Sequence, residues 1–293
     1  MSRARLVFWI LRLLALLPLW LAHALGAAVG VVMGVIPNSL RRVAQVNIDA
    51  CFPDWSTAAR KRLVRQSLRE GGKAVAELGA LWLWPRERVL KLVREVRGGE
   101  LVEQAVADGR GAIIAGPHLG AWELSGFYLA SRWPMTSLYR PPRLTELEVA
   151  VRAARERGGA TLVPTDAGGV RALFKALGRD ELVGILPDQE PGLDSGAFAP
   201  FFGIAANTMV LLPRLAQKSG APVLFVFAER LPWGRGYIFH LEAAPAGIDD
   251  PDTNVACAAL NQGVEHCVRQ APAQYQWSYK RFKKRPEGQA KLY

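Results

Sequence analysis

The residues best equipped for chemistry are His118 and Glu123, in the run GAIIAGPHLGAWELSG. An imidazole titrates near neutrality and can take a proton from an alcohol. A nearby carboxylate can fix its tautomer and stabilise the imidazolium that forms. The spacing alone is weak evidence, because 4 histidines among 26 acidic residues meet it easily by chance. Its setting carries more weight. Residues 112–116 (AIIAG) read as a buried strand, Gly116-Pro117 as a turn and 121–130 as a helix. That places His118 in a loop and Glu123 in the first helical turn, so the carboxylate is expected to fold back onto the ring. The amides of Gly120, Ala121 and Trp122 are candidates to face a developing oxyanion, with Gly120 admitting a substrate close to the backbone. The alternative is a buried histidine that caps the helix and bonds a neighbouring glutamate.

Other chemistries lack their residues. There is no G-x-S-x-G elbow, Walker A loop or H-E-x-x-H, and no Cys/His cluster of ligand spacing, so neither a metal nor a cofactor is expected. His23 falls in an apolar segment, His240 in a strand pattern and His266 in a helix pattern, and each reads as structural. Cys51, Cys257 and Cys267 are odd in number and fit a reducing compartment.

The elements that must position this pair alternate from residue 110 onward. Strands are expected at 112–116, 135–139, 161–163, 182–186, 222–228 and 236–243. Helices are expected at 121–131, 144–156, 168–177, 207–218 and 253–270, and residues 187–206 form a long loop. The alternation predicts an α/β sandwich with a mixed, mostly parallel sheet. Residues 40–110 read as helices, with Ser56 as a cap and Leu81-Trp82-Leu83-Trp84-Pro85 at their end. The paired tryptophans fit either a membrane-facing entrance or core packing.

The chain has 293 residues, a formal charge of +11 and a hydrophobic share of 50%. Such a basic surface suits anionic partners, but no nucleic-acid motif is present and the basic residues are dispersed. Residues 13–36 hold no fixed charge. As one helix they would be about 36 Å long, enough for a hydrocarbon core of about 30 Å. An uncleaved anchor is expected over a signal peptide cut near Ala22-His23-Ala24, since apolar sequence continues past that point. Gly26, Gly30 and Gly34 would permit close helix approach, and packing onto the chain's own domain is the favoured reading.

HLGAWE resembles the H-x4-D/E signature of glycerolipid-type acyltransferases. More specific segments are NIDACFP at 47–53, Tyr139-Arg140-Pro141, Asp188-Gln189, PFFG at 200–203 with Ala206 and Thr208, and QYQWSYKRFKKRPEG at 274–288. Together they resemble the late, lauroyl/myristoyl acyltransferases of lipid A biosynthesis, almost from end to end. The departures are Tyr279 for a more usual tryptophan or histidine, and Pro142-Arg143 after Tyr-Arg-Pro.

The resemblance implies a glycerolipid-acyltransferase-like αβα sandwich at 38–293, helical over 38–110 and catalytic over 111–293. A membrane anchor at 1–37 would hold it on the cytoplasmic face of the inner membrane. Its reaction would move a fatty acyl group from acyl carrier protein to a hydroxyl of a 3-hydroxyacyl chain on a Kdo-bearing lipid A precursor, without a cofactor. His118 and Glu123 map onto the family's catalytic pair. Arg155 maps onto its arginine, with Arg157 close enough to leave the choice open. Arg140, Asp188 and Gln189 fall in motifs expected to meet substrate, as do Gly120 and Trp122. Lys280, Arg281, Lys283, Lys284 and Arg285 are a candidate phosphate contact or a solvated tail. An acyltransferase for another membrane lipid would share the chemistry, and a non-enzymatic membrane-anchored binding module would make the pair structural.

Overall fold

The computed structural model describes residues 3–141, 145–192 and 195–293, so Pro142-Arg143 lie outside it. The chain opens with helices α1 (Arg3–Leu16), α2 (Leu19–Val35), α3 (Ser39–Cys51), α4 (Thr57–Ala76), α5 (Leu78–Leu83) and α6 (Arg86–Leu90). Strands and helices then alternate through β1 (Val93–Arg97), α7 (Gly99–Ala107), β2 (Ala112–Ala115), α8 (Trp122–Ala130) and β3 (Met135–Tyr139). They continue through α9 (Glu148–Glu156), β4 (Ala160–Pro164), α10 (Ala167–Leu177) and β5 (Leu182–Ile185). The last elements are β6 (Gly196–Phe201), β7 (Ile204–Met209), α11 (Leu211–Ser219), β8 (Val223–Arg230), β9 (Tyr237–Ala243) and α12 (Thr253–Gln270).

Seven strands form one sheet in the order β1-β9-β8-β2-β5-β3-β4. Pairing is parallel except between β8 and β9, so the sheet is mixed and mostly parallel, as the alternation predicts. Successive strand residues point to opposite faces. Ile113, Ala115, Val183, Ile185 and Phe225 therefore pack with α3, α4 and α10–α12 on one face. Ala112, Ile114, Leu182, Leu224 and Val226 pack with α5–α8 on the other.

Four sequence expectations change. Residues 40–110 are not helical throughout, because Val93–Arg97 pairs in parallel with β9 at the sheet edge. The expected loop at 187–206 contains β6, and β7 takes the start of the expected 207–218 helix. The two strands form an antiparallel hairpin turned by Phe202-Gly203. The apolar N-terminus is not one rod. Pro18 has no N–H to donate and stands in an extended conformation between α1 and α2, so the helix breaks there. Among the described residues no single helix is long and apolar enough to cross a membrane.

Both N-terminal helices pack on the chain's own helices, α2 on α4 and α1 on α5. A Cβ on Gly26 would fall 2.4 Å from the Gly72 carbonyl oxygen of α4, and one on Gly30 would fall 2.3 Å from that of Leu68. These glycines thus serve packing within the chain, as favoured above, while Gly34 makes no such close approach. Ser56 caps α4 by accepting the Ala59 N–H at 3.2 Å.

Candidate active site

Strand order brings the chemistry together. β2 and β5 are parallel neighbours with Ala115 opposite Ile185. His118 and Asp188 each follow their strand by three residues, so both leave the same C-terminal edge side by side. The Asp188 carboxylate takes the His118 ring Nδ1–H at 2.7 Å and the His118 main-chain N–H at 2.9 Å. An ionised carboxylate only accepts hydrogen bonds, so Nδ1 carries the proton and Nε2 keeps its lone pair. Burial works against the charge on Asp188, but the His118 ring and these two bonds outweigh it and hold the carboxyl below its ordinary range.

The Nε2 lone pair receives an N–H of the Gln189 amide at 3.1 Å, and the same amide nitrogen donates to Gln276 Oε1 at 3.2 Å. Gln276 in turn donates its main-chain N–H to the His118 carbonyl at 3.1 Å. The segment around 275–282 therefore belts the ring in place. Its anchors lie far back in the chain: Asn47 donates to the carbonyls of Trp277 and Tyr279, each at 2.7 Å. The Tyr279 hydroxyl accepts the Glu190 N–H at 2.9 Å, so this departure from the family pattern fills a structural place.

Glu123 is not the residue that holds the ring. Its carboxylate faces Arg155, which donates Nε–H at 3.0 Å and Nη2–H at 2.5 Å, and Trp82 adds its indole N–H at 3.4 Å. Glu123 points from the first turn of α8 toward α9, whereas His118 is reached from β5. Burial alone would raise the Glu123 carboxyl, but Arg155 outweighs it and keeps the pKa low. Of the two candidate arginines, Arg155 is the one that meets Glu123, while Arg157 donates to the main-chain carbonyls of Leu81 and Trp84. Trp82 belongs beside Glu123, while Trp84 is a buried core residue whose indole donates to the Ala15 carbonyl at 2.7 Å.

Two of the three expected oxyanion amides, those of Gly120 and Ala121, are already engaged. The Gly120 N–H donates to the Gln274 carbonyl and the Ala121 N–H to the Ala228 carbonyl. Gly120 adopts φ +59°, and a Cβ there would lie 2.0 Å from the Ala228 oxygen. Its freedom is spent on this contact with β8 rather than on admitting a substrate. Arg140 lies exposed just past β3 and, among the described residues, makes no hydrogen bond to the cluster. The basic C-terminal group divides. Arg281 is 2% exposed and bonds Asn207, Thr208 and Asn261, and Arg285 donates to the Ala205 carbonyl. Lys280 and Lys283 remain exposed.

A mainly apolar cavity runs between the sheet and α8–α9. Trp122, Glu123, Ser125 and Arg155 line one part, and Ile114, Met135, Leu162 and Gly184 another. His118 is not in this wall, but its ring centroid lies 5.5 Å from that of Trp122, which is. Gly184 keeps the floor narrow but open, since a Cβ there would press to 2.5 Å from Met135 Cε. Among the described residues no group of three His, Cys, Asp or Glu side chains could hold a metal ion. The sequence marked neither Gln276 as a partner beside His118 nor Trp82 as a partner of Glu123. The only available signal for Gln276 was its place in the motif at 274–288.

The candidate site is thus a carboxylate-held histidine at the C-terminal edge of an α/β sheet, near a mainly apolar cavity. The model of the bacterial lipid A biosynthesis acyltransferase family matches residues 3–284, and the chain belongs to that family. The chain is 31% identical over 273 residues to the lipid A biosynthesis palmitoleoyltransferase of Escherichia coli K12, covering 92% of this chain and 87% of that protein. It is 30% identical over 283 residues to the lauroyltransferase of the same organism, covering 95% and 90%. Its identity to the myristoyltransferase is 24% over 270 residues, covering 91% and 82%.

Proposed function

We propose that this lipid A acyltransferase moves a fatty acyl chain from acyl carrier protein to a hydroxyl of a 3-hydroxyacyl chain on a Kdo-bearing lipid A precursor. The observation that carries the reading is the His118 ring, fixed by buried Asp188 at Nδ1 so that Nε2 keeps its lone pair, near a mainly apolar cavity. The acceptor hydroxyl takes the place of the Gln189 amide at Nε2. As the hydroxyl oxygen attacks the thioester carbon, its proton passes to Nε2, and Asp188 stabilises the imidazolium. Collapse of the tetrahedral intermediate expels the carrier thiolate, which takes that proton from Nε2–H. A thioester is already activated, so these steps need no cofactor.

Glu123 acts through Arg155, whose guanidinium it fixes in the cavity wall as a neutral ion pair. The chain lies along Trp122, Ile114 and Leu162 toward Met135 and Gly184. The acidic carrier and the phosphates and acid sugars of the acceptor both complement a chain of charge +11.

The test is a transfer assay with purified protein, a panel of acyl carrier protein thioesters, and either a Kdo-lipid A precursor or a phospholipid as acceptor. Turnover is expected with the first acceptor alone. Turnover with the phospholipid alone would replace this reading with another membrane-lipid acyltransferase.

A further inference from the structure

Two hydroxyls stand in the wall of the mainly apolar cavity, Ser125 on α8 and Ser137 on β3. The strongest polar groups in that wall, Glu123 and Arg155, already face each other. Ser125 is 4% exposed, and its hydroxyl oxygen has no hydrogen-bond partner among the described residues. Ser137 likewise makes no side-chain hydrogen bond among them. A serine in a helix can turn its hydroxyl back to a main-chain carbonyl. Ser67 does so to Val64 at 3.0 Å, Ser131 to Tyr128 at 2.7 Å and Ser219 to Leu215 at 2.7 Å. Ser125 leaves that option unused. A buried hydroxyl without a partner destabilises the fold, and an alanine there would not. The partner of Ser125 is therefore to be sought in what fills the cavity.

Both serines lie near the catalytic edge. α8 runs back from the loop that carries His118, and Ser125 is three residues past Trp122, about 4.5 Å along the helix axis. Ser137 pairs with Gly184, and Met135 lies two residues further from the C-terminal edge, about 6.6 Å along the strand. Deeper still the wall returns to apolar side chains such as Ala160 and Leu162. An acyl chain with its thioester carbon at His118 would thus meet the hydroxyls a few bonds from its head, and only carbon after that. Next to Ser125 there is room for a substituent. Gly126 lines the same wall, and a Cβ there would meet no atom within 4 Å. A glycine inside a helix weakens it relative to alanine, so the space, not the helix, accounts for this one.

We propose that the donor chain of this enzyme carries a hydroxyl near its thioester end, and that Ser125 is the specificity residue that reads it. A hydroxyl both donates and accepts, so the substituent can pair with Ser125 from the helix side and with Ser137 from the sheet side. An unsubstituted chain of equal length would leave Ser125 buried and unmet, which counts against that chain in the comparison of the two donors. The inference rests on the reading of this cavity as the acyl-chain site, and it names the class of chain that the site takes.

The experiment gives purified full-length protein matched acyl carrier protein thioesters of equal chain length, plain, 2-hydroxyacyl and 3-hydroxyacyl, with a Kdo-lipid A precursor as acceptor. A hydroxylated donor should exceed the plain one about tenfold in kcat/KM. Ser125→Ala should bring that ratio close to one, and Ser137→Ala should reduce it less. Ser125→Ala should also raise the thermal midpoint of the free protein, because it removes an unmet buried hydroxyl. Equal use of plain and hydroxylated donors by the parent would mean that water meets Ser125. A loss shared by all three donors in Ser125→Ala would mean that the serine meets the carbonyl they have in common. Either result, or a lowered midpoint, would overturn the proposal. Calorimetric binding of the matched free fatty acids needs no turnover. A hydroxyl preference in binding without any transfer would remove the proposed function and leave this inference standing.

Discussion

Two buried clusters in this molecule use the same kinds of side chain, and only one has an open side. In the interior cluster Glu77 takes Nε–H and Nη2–H of Arg230 at 2.7 and 2.6 Å, the Tyr237 hydroxyl at 2.8 Å and His23 Nε2 at 2.9 Å. Arg230 spends a further donor on Glu70 at 2.9 Å. Every strong group there faces another, and the cluster ties α2 and α4 to the sheet. At the edge of β2 and β5, His118 and Asp188 satisfy each other on one side only. The other ring nitrogen is met by a neutral amide that a substrate hydroxyl can replace. Histidine and carboxylate make a scaffold where both are saturated, and a candidate reactive centre where one lone pair is met only by a neutral amide.

Removing the reactive nitrogen is the sharpest way to separate the two. His118→Ala should lower kcat by roughly 10³-fold or more in the acyl carrier protein assay, with little change in thermal unfolding. Glu77→Ala should do the reverse. Stripping one partner from a sealed charge cluster costs about 3–5 kcal/mol, while kcat per folded molecule stays near that of the parent. Chemical denaturation paired with active-site titration would check both. Substantial turnover in folded His118→Ala, or an unfolding curve unmoved by Glu77→Ala, would erase the contrast.

Asp188→Asn is a finer probe. It keeps the shape but no longer enforces Nδ1–H, so kcat should drop about 10²-fold with KM nearly constant. An equal rise in KM would mean that Asp188 binds substrate instead.

Much of the sheet was legible because its inner strands are short, uninterrupted apolar runs such as AIIA and LVGI, buried on both faces. β1 (VREVR) gave no such signal, because an edge strand mostly exposed to water needs no apolar run. His118, Glu123 and Arg155 could be marked by residue type and motif. Which carboxylate touches the ring could not, because that depends on β5 lying beside β2, and strand order is not written in local periodicity. The same reason hid Gln276, whose partners are distant in the chain.

The smallest expected effect concerns acid. Burial works against the charge on Glu77, but Arg230 and the bonded hydrogens outweigh it and bring its pKa from 4.5 down to about 2. A carboxyl depressed in the folded state adds stability that is complete above its unfolded pKa and fades as pH falls toward the folded value. Resistance to denaturant should therefore decline from near pH 4.5 toward pH 2, and less steeply in Glu77→Gln than in the parent. Identical acid limbs would place the sensitive group elsewhere.

The belt over His118 also sets an order of events during synthesis. The greasy helices leave the ribosome early, whereas Gln276 and Trp277 are made long after the ring they secure. Until then the imidazole has no buckle and Asn47 no carbonyls to grip. The ring of His118 is thus made early and strapped last, once the Gln276 N–H reaches its carbonyl.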